Sequence, residues 1–162
     1  MKIIKLESRH YPSVSAIYAE GLATGKATFE TSVPSWEAWD QSHLSVCRIA
    51  AMDQDEMLGW AALSPVSKRQ VYRGVAELSV YIATSARGKG VGKLLLTTLI
   101  ERSEANNFWT LQSGIFTTNK ASIALHEKCG FRIIGYREKV GKLNDTWMDN
   151  MLLERRSTLA GL

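Results

Sequence analysis

The stretch LSVYIATSARGKGVGKLLLTTLIERS, Leu78 to Ser103, joins an extended-looking run to a helix-looking run through Gly88, Gly90 and Gly92. Glycines at a strand-to-helix junction let backbone approach a ligand closely, and the unpaired amides at a helix start favour an anion, most often phosphate. Two nucleotide motifs fit badly. The glycines read GxGxG, one residue short of the dinucleotide GxGxxG, and no acidic residue follows a second strand at the expected distance. Gly88 to Lys93 reads GxxxGK followed by Leu94, so the hydroxyl that a P-loop offers to magnesium is missing. A phosphate site with Arg87 alongside, or a plain tight turn that caps a helix, are the readings left.

Working outward, VAELSVYI (75–82) alternates as a strand, with Ala76, Leu78, Val80 and Ile82 on one face and Val75, Glu77, Ser79 and Tyr81 on the other. Downstream, Val91, Leu94, Leu95, Thr98 and Leu99 follow helical spacing. The flanks predict strands at 2–6, 47–52, 57–63, 110–115, 131–140 and 147–153, and helices at 11–24, from Ser35 as cap through Trp36, Trp39 and His43, and from Asn119 as cap to Cys129. GKLND (141–145) is expected to be the last turn, and the residues from Arg155 a loose tail. Strand, two helices, three strands, helix, strand, helix, two strands is the order of an α/β mixed sheet, neither doubly wound nor a barrel.

At 162 residues, one domain spanning 1–162 is expected. No apolar stretch approaches the ~20 residues of a membrane helix, and two cysteines make neither a disulfide framework nor a zinc spacing, so a reducing cytoplasm is the expected setting and no metal is expected. The net charge of +4 comes from Lys and Arg spread along the chain, not interleaved with aromatics, which argues against a nucleic-acid partner and suits an acidic small ligand.

Glu77 in mid-strand is either ion-paired with an arginine such as Arg73, or faces a cleft where burial raises its pKa towards that of a general base. Asn119, Ser122 and His126 share one helix stripe. Either they line a ligand, or Asn119 only caps the helix and His126 is solvated. Of five tryptophans, Trp36 and Trp147 lie beside polar loops and are the expected cleft-liners; the others are expected in the core. Lys68, Arg69 and Arg73 precede the Glu77 strand and suit an anionic group on a substrate.

Together, VAELSVYI, RGKGVGKLL, TNKASIALHEKCGF and GKLNDTWMD resemble the GCN5-related N-acetyltransferase (GNAT) superfamily over essentially the whole chain, and within it the phosphinothricin and methionine sulfoximine acetyltransferases. The resemblance implies a GNAT fold with two central strands splayed apart, acetyl-CoA as cofactor, and direct transfer of acetyl to an amine in a detoxifying reaction. It implies that Val80, Tyr81 and Ile82 pair with the pantetheine arm. The amides of Arg87, Gly88, Lys89, Gly90, Val91, Gly92 and Lys93 would wrap the pyrophosphate, and Asn119 and Ser122 would touch the arm near the thioester. Glu77 is implied as base, a backbone amide near Val80 as oxyanion donor, and His126 as acid or second base. Phe29 on one side and Ser67, Lys68, Arg69 and Arg73 on the other, with Glu77, Leu78 and Ser79, would frame an amino-acid-like acceptor. Relatives often carry Arg-Pro-aromatic where this chain has Ser67, Lys68 and Arg69. The resemblance further implies a homodimer.

Overall fold

A computed structural model describes residues 1–162. The elements run β1 (Lys2–Lys5), α1 (Tyr11–Ala23), α2 (Trp36–Ser42), β2 (Ile49–Asp53), β3 (Glu56–Pro65), β4 (Val75–Ile82), α3 (Val91–Ala105), β5 (Thr110–Phe116), α4 (Lys120–Lys128), β6 (Arg132–Leu143) and β7 (Thr146–Arg156). This is the expected order, and β4 has the expected ends. The seven strands form one sheet, β1-β2-β3-β4-β5-β7-β6, in which only β4 and β5 are parallel neighbours.

Helices cover both faces. On one side, Tyr18 of α1 stacks against Trp60 of β3 and Tyr81 of β4, at centroid distances of 5.8 and 4.8 Å, and those two rings stack on each other at 4.9 Å. Trp39 of α2 meets Trp60 edge-on at 5.6 Å, and both indoles are fully buried. Gly21 allows this approach, since a Cβ there would lie 2.7 Å from the Tyr81 ring. On the other side α3 buries Val91, Leu95, Leu96, Leu99, Ile100 and Ser103, a stripe rotated slightly from the expected one, and α4 lies beside it, with Leu125 packed over Gly92.

Several boundaries differ from expectation for physical reasons. Cys47 has φ +60° and belongs to the turn before β2, not to the strand. The last hairpin turns at Asn144 and Asp145, both at positive φ, so β6 continues through Gly141 to Leu143. The C-terminus is not loose. Arg155 and Arg156 are strand residues, and the Arg156 guanidinium donates to the carbonyls of Ser157, Ala160 and Gly161 at 2.8, 2.9 and 2.7 Å. Ser157 Oγ accepts the amides of Leu159 and Ala160 and donates to Glu104 of α3 at 2.8 Å. Such a chain of satisfied polar groups fixes a segment that apolar patterning does not mark. No helix is long and apolar enough to cross a membrane.

The feature that positions the site is a break in the sheet. β4 and β5 pair only at Val75–Thr110, Ala76–Leu111 and Glu77–Gln112, and beyond Glu77 they separate. On its other edge β4 stays paired with β3 from Pro65–Ala76 to Gly59–Ile82.

Candidate active site

The direction of the freed backbone follows from the register. Ala83 N–H donates to Leu58 O at 2.9 Å, so Ala83 and Leu58 form a bonded pair in the antiparallel ladder. Bonded and non-bonded pairs alternate. The backbone groups of Tyr81, Ser79 and Glu77 therefore turn to β3, and those of Ile82, Val80 and Leu78 turn into the gap beside β5. The N–H and C=O of Val80 and Ile82 lie beyond the last β4–β5 pair, Glu77–Gln112, and meet no sheet partner, which is the condition for pairing with an extended ligand.

A cavity of about 340 Å³ occupies the gap and draws its lining from both faces of the sheet. From the α1 side come Ala27–Glu30, Glu77, Ser79, Tyr81, Gly114, Phe116 and Asn150; from the α3 and α4 side come Leu78, Val80, Ser113, Ile115, Asn119, Ser122 and His126. The strands part, so the cavity reaches through the sheet from one face to the other.

Glu77 stands where the parting begins. Of the two readings that the sequence allows, an ion pair or a place facing a cleft, the structure gives the cleft without the burial: Glu77 lines the cavity, its side chain is exposed, and it belongs to none of the salt bridges. Arg73 instead lies over the Trp109 ring at 5.3 Å and donates to Gln70 O. His126 is buried, at 3 % exposure. Its Nδ1 lies 2.7 Å from Ser122 O, its Nε2 has no protein partner, and its ring meets Phe131 edge-on at 5.2 Å. Burial holds its pKa below the ordinary histidine value, against the opposing effect of the Ser122 bond. Asn119 both caps and lines: its Oδ1 accepts Ser122 N–H, and its Nδ2 donates to Lys26 O. Tyr81 is held protonated well above the ordinary phenol range, first by burial and then by Tyr18.

Past the end of β4, the glycine loop continues the gap. Gly88 and Gly90 have φ +74° and +80°, and a Cβ on either would meet nothing within 4 Å. The space above this backbone is open. No amide from Gly88 to Lys93 donates to a protein acceptor; the first bonded one is Leu94 N–H, to Gly90 O. Gly90 takes the cap position of α3 without a side-chain acceptor, so the positive end of that helix is bare. Arg87, Lys89 and Lys93 are exposed around it. An elongated ligand with amides at one end and a pyrophosphate at the other fits this continuous edge, so the residues present suit coenzyme A.

The cavity brings together Phe29, Glu77, Leu78, Ser79, Val80, Tyr81, Asn119, Ser122 and His126, while Ile82 and the loop from Arg87 to Lys93 lie along the same strand beyond it. It does not include Ser67, Lys68, Arg69 or Arg73. Arg69 rests over its neighbour Tyr72 at 5.5 Å. Trp36 and Trp147 are not cleft-liners either. Trp36 stacks on Trp39 and meets Tyr11 edge-on, and Trp147 is 54 % exposed with Lys142 over its ring. Sequence reasoning missed Glu30 and Asn150. Asn150 is aligned with Phe116 across β5 and β7, its amide lies over the bare Gly114, and its Oδ1 is buried without a partner. A glycine in mid-β5 was the one signal in the sequence that something approaches there.

Residues 12–131 match the acetyltransferase (GNAT) family. Among curated relatives, the phosphinothricin N-acetyltransferase of Alcaligenes faecalis is 35 % identical over 154 residues, covering 89 % of this chain and 76 % of that protein. An L-methionine sulfoximine/L-methionine sulfone acetyltransferase of Pseudomonas aeruginosa is 33 % identical over 144 residues, covering 85 % and 84 %. Among solved structures, a phosphinothricin acetyltransferase of Sinorhizobium meliloti in complex with acetyl-CoA superposes with a TM-score of 0.88 at 29 % identity, covering 99 % and 90 %. A ribosomal-protein-alanine N-acetyltransferase of Brucella melitensis does so with a TM-score of 0.88 at 28 % identity, covering 97 % and 100 %. With its parted central strands, its bare amide loop and these relatives, the chain belongs to the GNAT acetyltransferases, enzymes that use acetyl-CoA.

Proposed function

We propose that this protein transfers acetyl to the α-amine of a small amino-acid-like acceptor, of the kind named for its relatives: phosphinothricin, methionine sulfoximine or methionine sulfone. The observation that carries the reading is the cavity reaching through the sheet, which lets cofactor and acceptor approach one point from opposite faces. Its volume of about 340 Å³ suits an amino acid better than a folded chain terminus. A detoxifying role and a cytoplasmic setting belong to the same proposal.

Acetyl-CoA, when bound, supplies an activated thioester carbonyl. Val80 and Ile82 hold the pantetheine arm through backbone groups that face the gap, and the amides from Gly88 to Lys93 hold the pyrophosphate. The Val80 amide is the donor for negative charge developing on the carbonyl oxygen. Glu77, unpaired and open to the cavity, takes the proton from the acceptor's ammonium, directly or through a water. Because a carbonyl can only accept, His126 carries its proton on Nδ1 and keeps the Nε2 lone pair free. This favours a second base over an acid.

The proposed assembly is a homodimer. β6 is the edge strand of the sheet and leaves Ile133, Ile134, Tyr136 and Val140 exposed, which suits burial against a second copy. Light scattering is expected to give twice the chain mass. The reaction is tested by a thiol-release screen over methionine sulfoximine, methionine sulfone, phosphinothricin, ordinary amino acids, polyamines and a peptide with an N-terminal alanine. Turnover confined to the amino acids supports the reading, and turnover confined to the peptide or the polyamines overturns it.

A further inference from the structure

Glu30 and Glu77 are the only charged side chains among the residues lining the cavity, and both are carboxylates. Neither takes part in a salt bridge. Glu30 is placed by its neighbours. The Phe29 ring meets Phe116 of β5 edge-on at 4.7 Å and lies against Gly141 of β6, where a Cβ would come within 3.0 Å of it. The Glu30 amide donates to Thr28 Oγ1 at 3.1 Å, closing a short turn. The loop between α1 and α2 is thereby anchored to the sheet with Glu30 on the cavity wall. The charge of Glu30 reaches the facing hydroxyls: after burial, it is the next cause of the raised pKa of Tyr18.

We propose that Glu30 selects the acceptor by charge, admitting amino acids whose distal group is polar but uncharged, such as a sulfone, sulfoximine or carboxamide, and disfavouring a distal phosphinate or carboxylate. The inference rests on the acetyl-transfer reading of the same cavity. Glu77 marks where the amine reacts, so Glu30, on the opposing loop, faces the remainder of the acceptor. A second anion there meets like charge in a partly desolvated space, with no lysine or arginine in the lining to offset it. Every amino-acid acceptor shares the α-carboxylate, so discrimination falls on the distal group.

The test compares kcat/KM for methionine sulfone against phosphinothricin, and for glutamine against glutamate, in wild type and Glu30→Gln. The wild type is expected to favour the uncharged member of each pair by about tenfold or more. Glu30→Gln is expected to narrow that ratio severalfold by raising kcat/KM on the anionic member, while acetyl-CoA affinity by calorimetry stays as in the wild type. Added salt narrows the wild-type ratio and leaves the variant's nearly unchanged, a response that a purely structural role for Glu30 would not produce. Equal ratios in the two proteins, or a wild type faster on the anionic members, overturn the inference while leaving acetyl transfer intact. Absence of turnover on every amine overturns the acetyl-transfer reading itself, and the inference falls with it.

Discussion

His126 Nδ1 lies 2.7 Å from the carbonyl oxygen of Ser122, one helical turn earlier, and its Nε2 stands in the cavity wall without a protein partner. The bond fixes the neutral tautomer, and burial lowers the pKa from its ordinary value of about 6.5. The unfolded chain takes up a proton first as pH falls. The stability contributed here is therefore fully present above about pH 6.5 and is lost as pH drops through the folded value. His43, lowered by burial and by Arg48 against its bond to Trp39 O, adds a change of the same sign. An NMR titration of the His126 Cε1 proton, assigned with His126→Asn, should show a midpoint below about 6.5. A midpoint at or above that value would contradict the buried neutral state. The same variant should lower turnover by about tenfold or more if Nε2 accepts a proton.

Glu77→Gln keeps the shape of the side chain and removes its basicity. Turnover at saturating acceptor should fall by roughly 10²- to 10⁴-fold, with acetyl-CoA binding retained in calorimetry. Unchanged turnover would remove Glu77 from the mechanism.

Gly90 has φ +80° and caps α3. Gly90→Val strains the backbone that presents the loop amides, at a cost of about 1–2 kcal/mol or more for a β-branched residue. Acetyl-CoA affinity should fall about tenfold or further. Wild-type affinity in a folded Gly90→Val protein would show that the amides do not hold the cofactor.

Gly74 tests packing far from the chemistry. It is buried, and a Cβ there would overlap the Trp109 ring, whose own amide donates to Gly74 O at 2.8 Å. Gly74→Ala should destabilise the fold by about 1–3 kcal/mol in denaturant titration. A smaller loss would mean that the indole moves aside freely.

Glu104 joins α3 to the C-terminus through Arg155 and Ser157, at 2.9 and 2.8 Å. Burial raises its pKa, but the bonds from Arg155 and Ser157 together with the charge of Arg155 outweigh this, and the net shift is downward. Glu104→Gln should cost about 1–3 kcal/mol near neutral pH. The contribution is present above the ordinary carboxyl value of about 4.3 and is lost as pH falls through the lowered one, so the gap between the two melting temperatures should close there. A gap that persists in acid would place the effect in packing rather than charge.

The sequence by itself determined the order of the eleven elements, because each is written in local periodicity and local punctuation: alternation in VAELSVYI, Ser35 and Asn119 as caps. It also located the amide loop, since glycines at positive φ leave a mark in one dimension. Only the tertiary structure decided what those elements enclose. That Glu77 is open rather than buried depends on where β4 and β5 part, and that the backbone of Val80 and Ile82 faces the gap depends on a register shared with β3. That two glutamates and no cation line the cavity depends on Phe29 docking against Phe116 and Gly141, more than eighty residues away in the chain. The tail from Ser157 is ordered through side-chain bonds to Glu104 and Arg156, which have no period to read. Local backbone preference is carried by neighbours in sequence; charge, exposure and register in the cavity are set by residues that meet only once the sheet has formed.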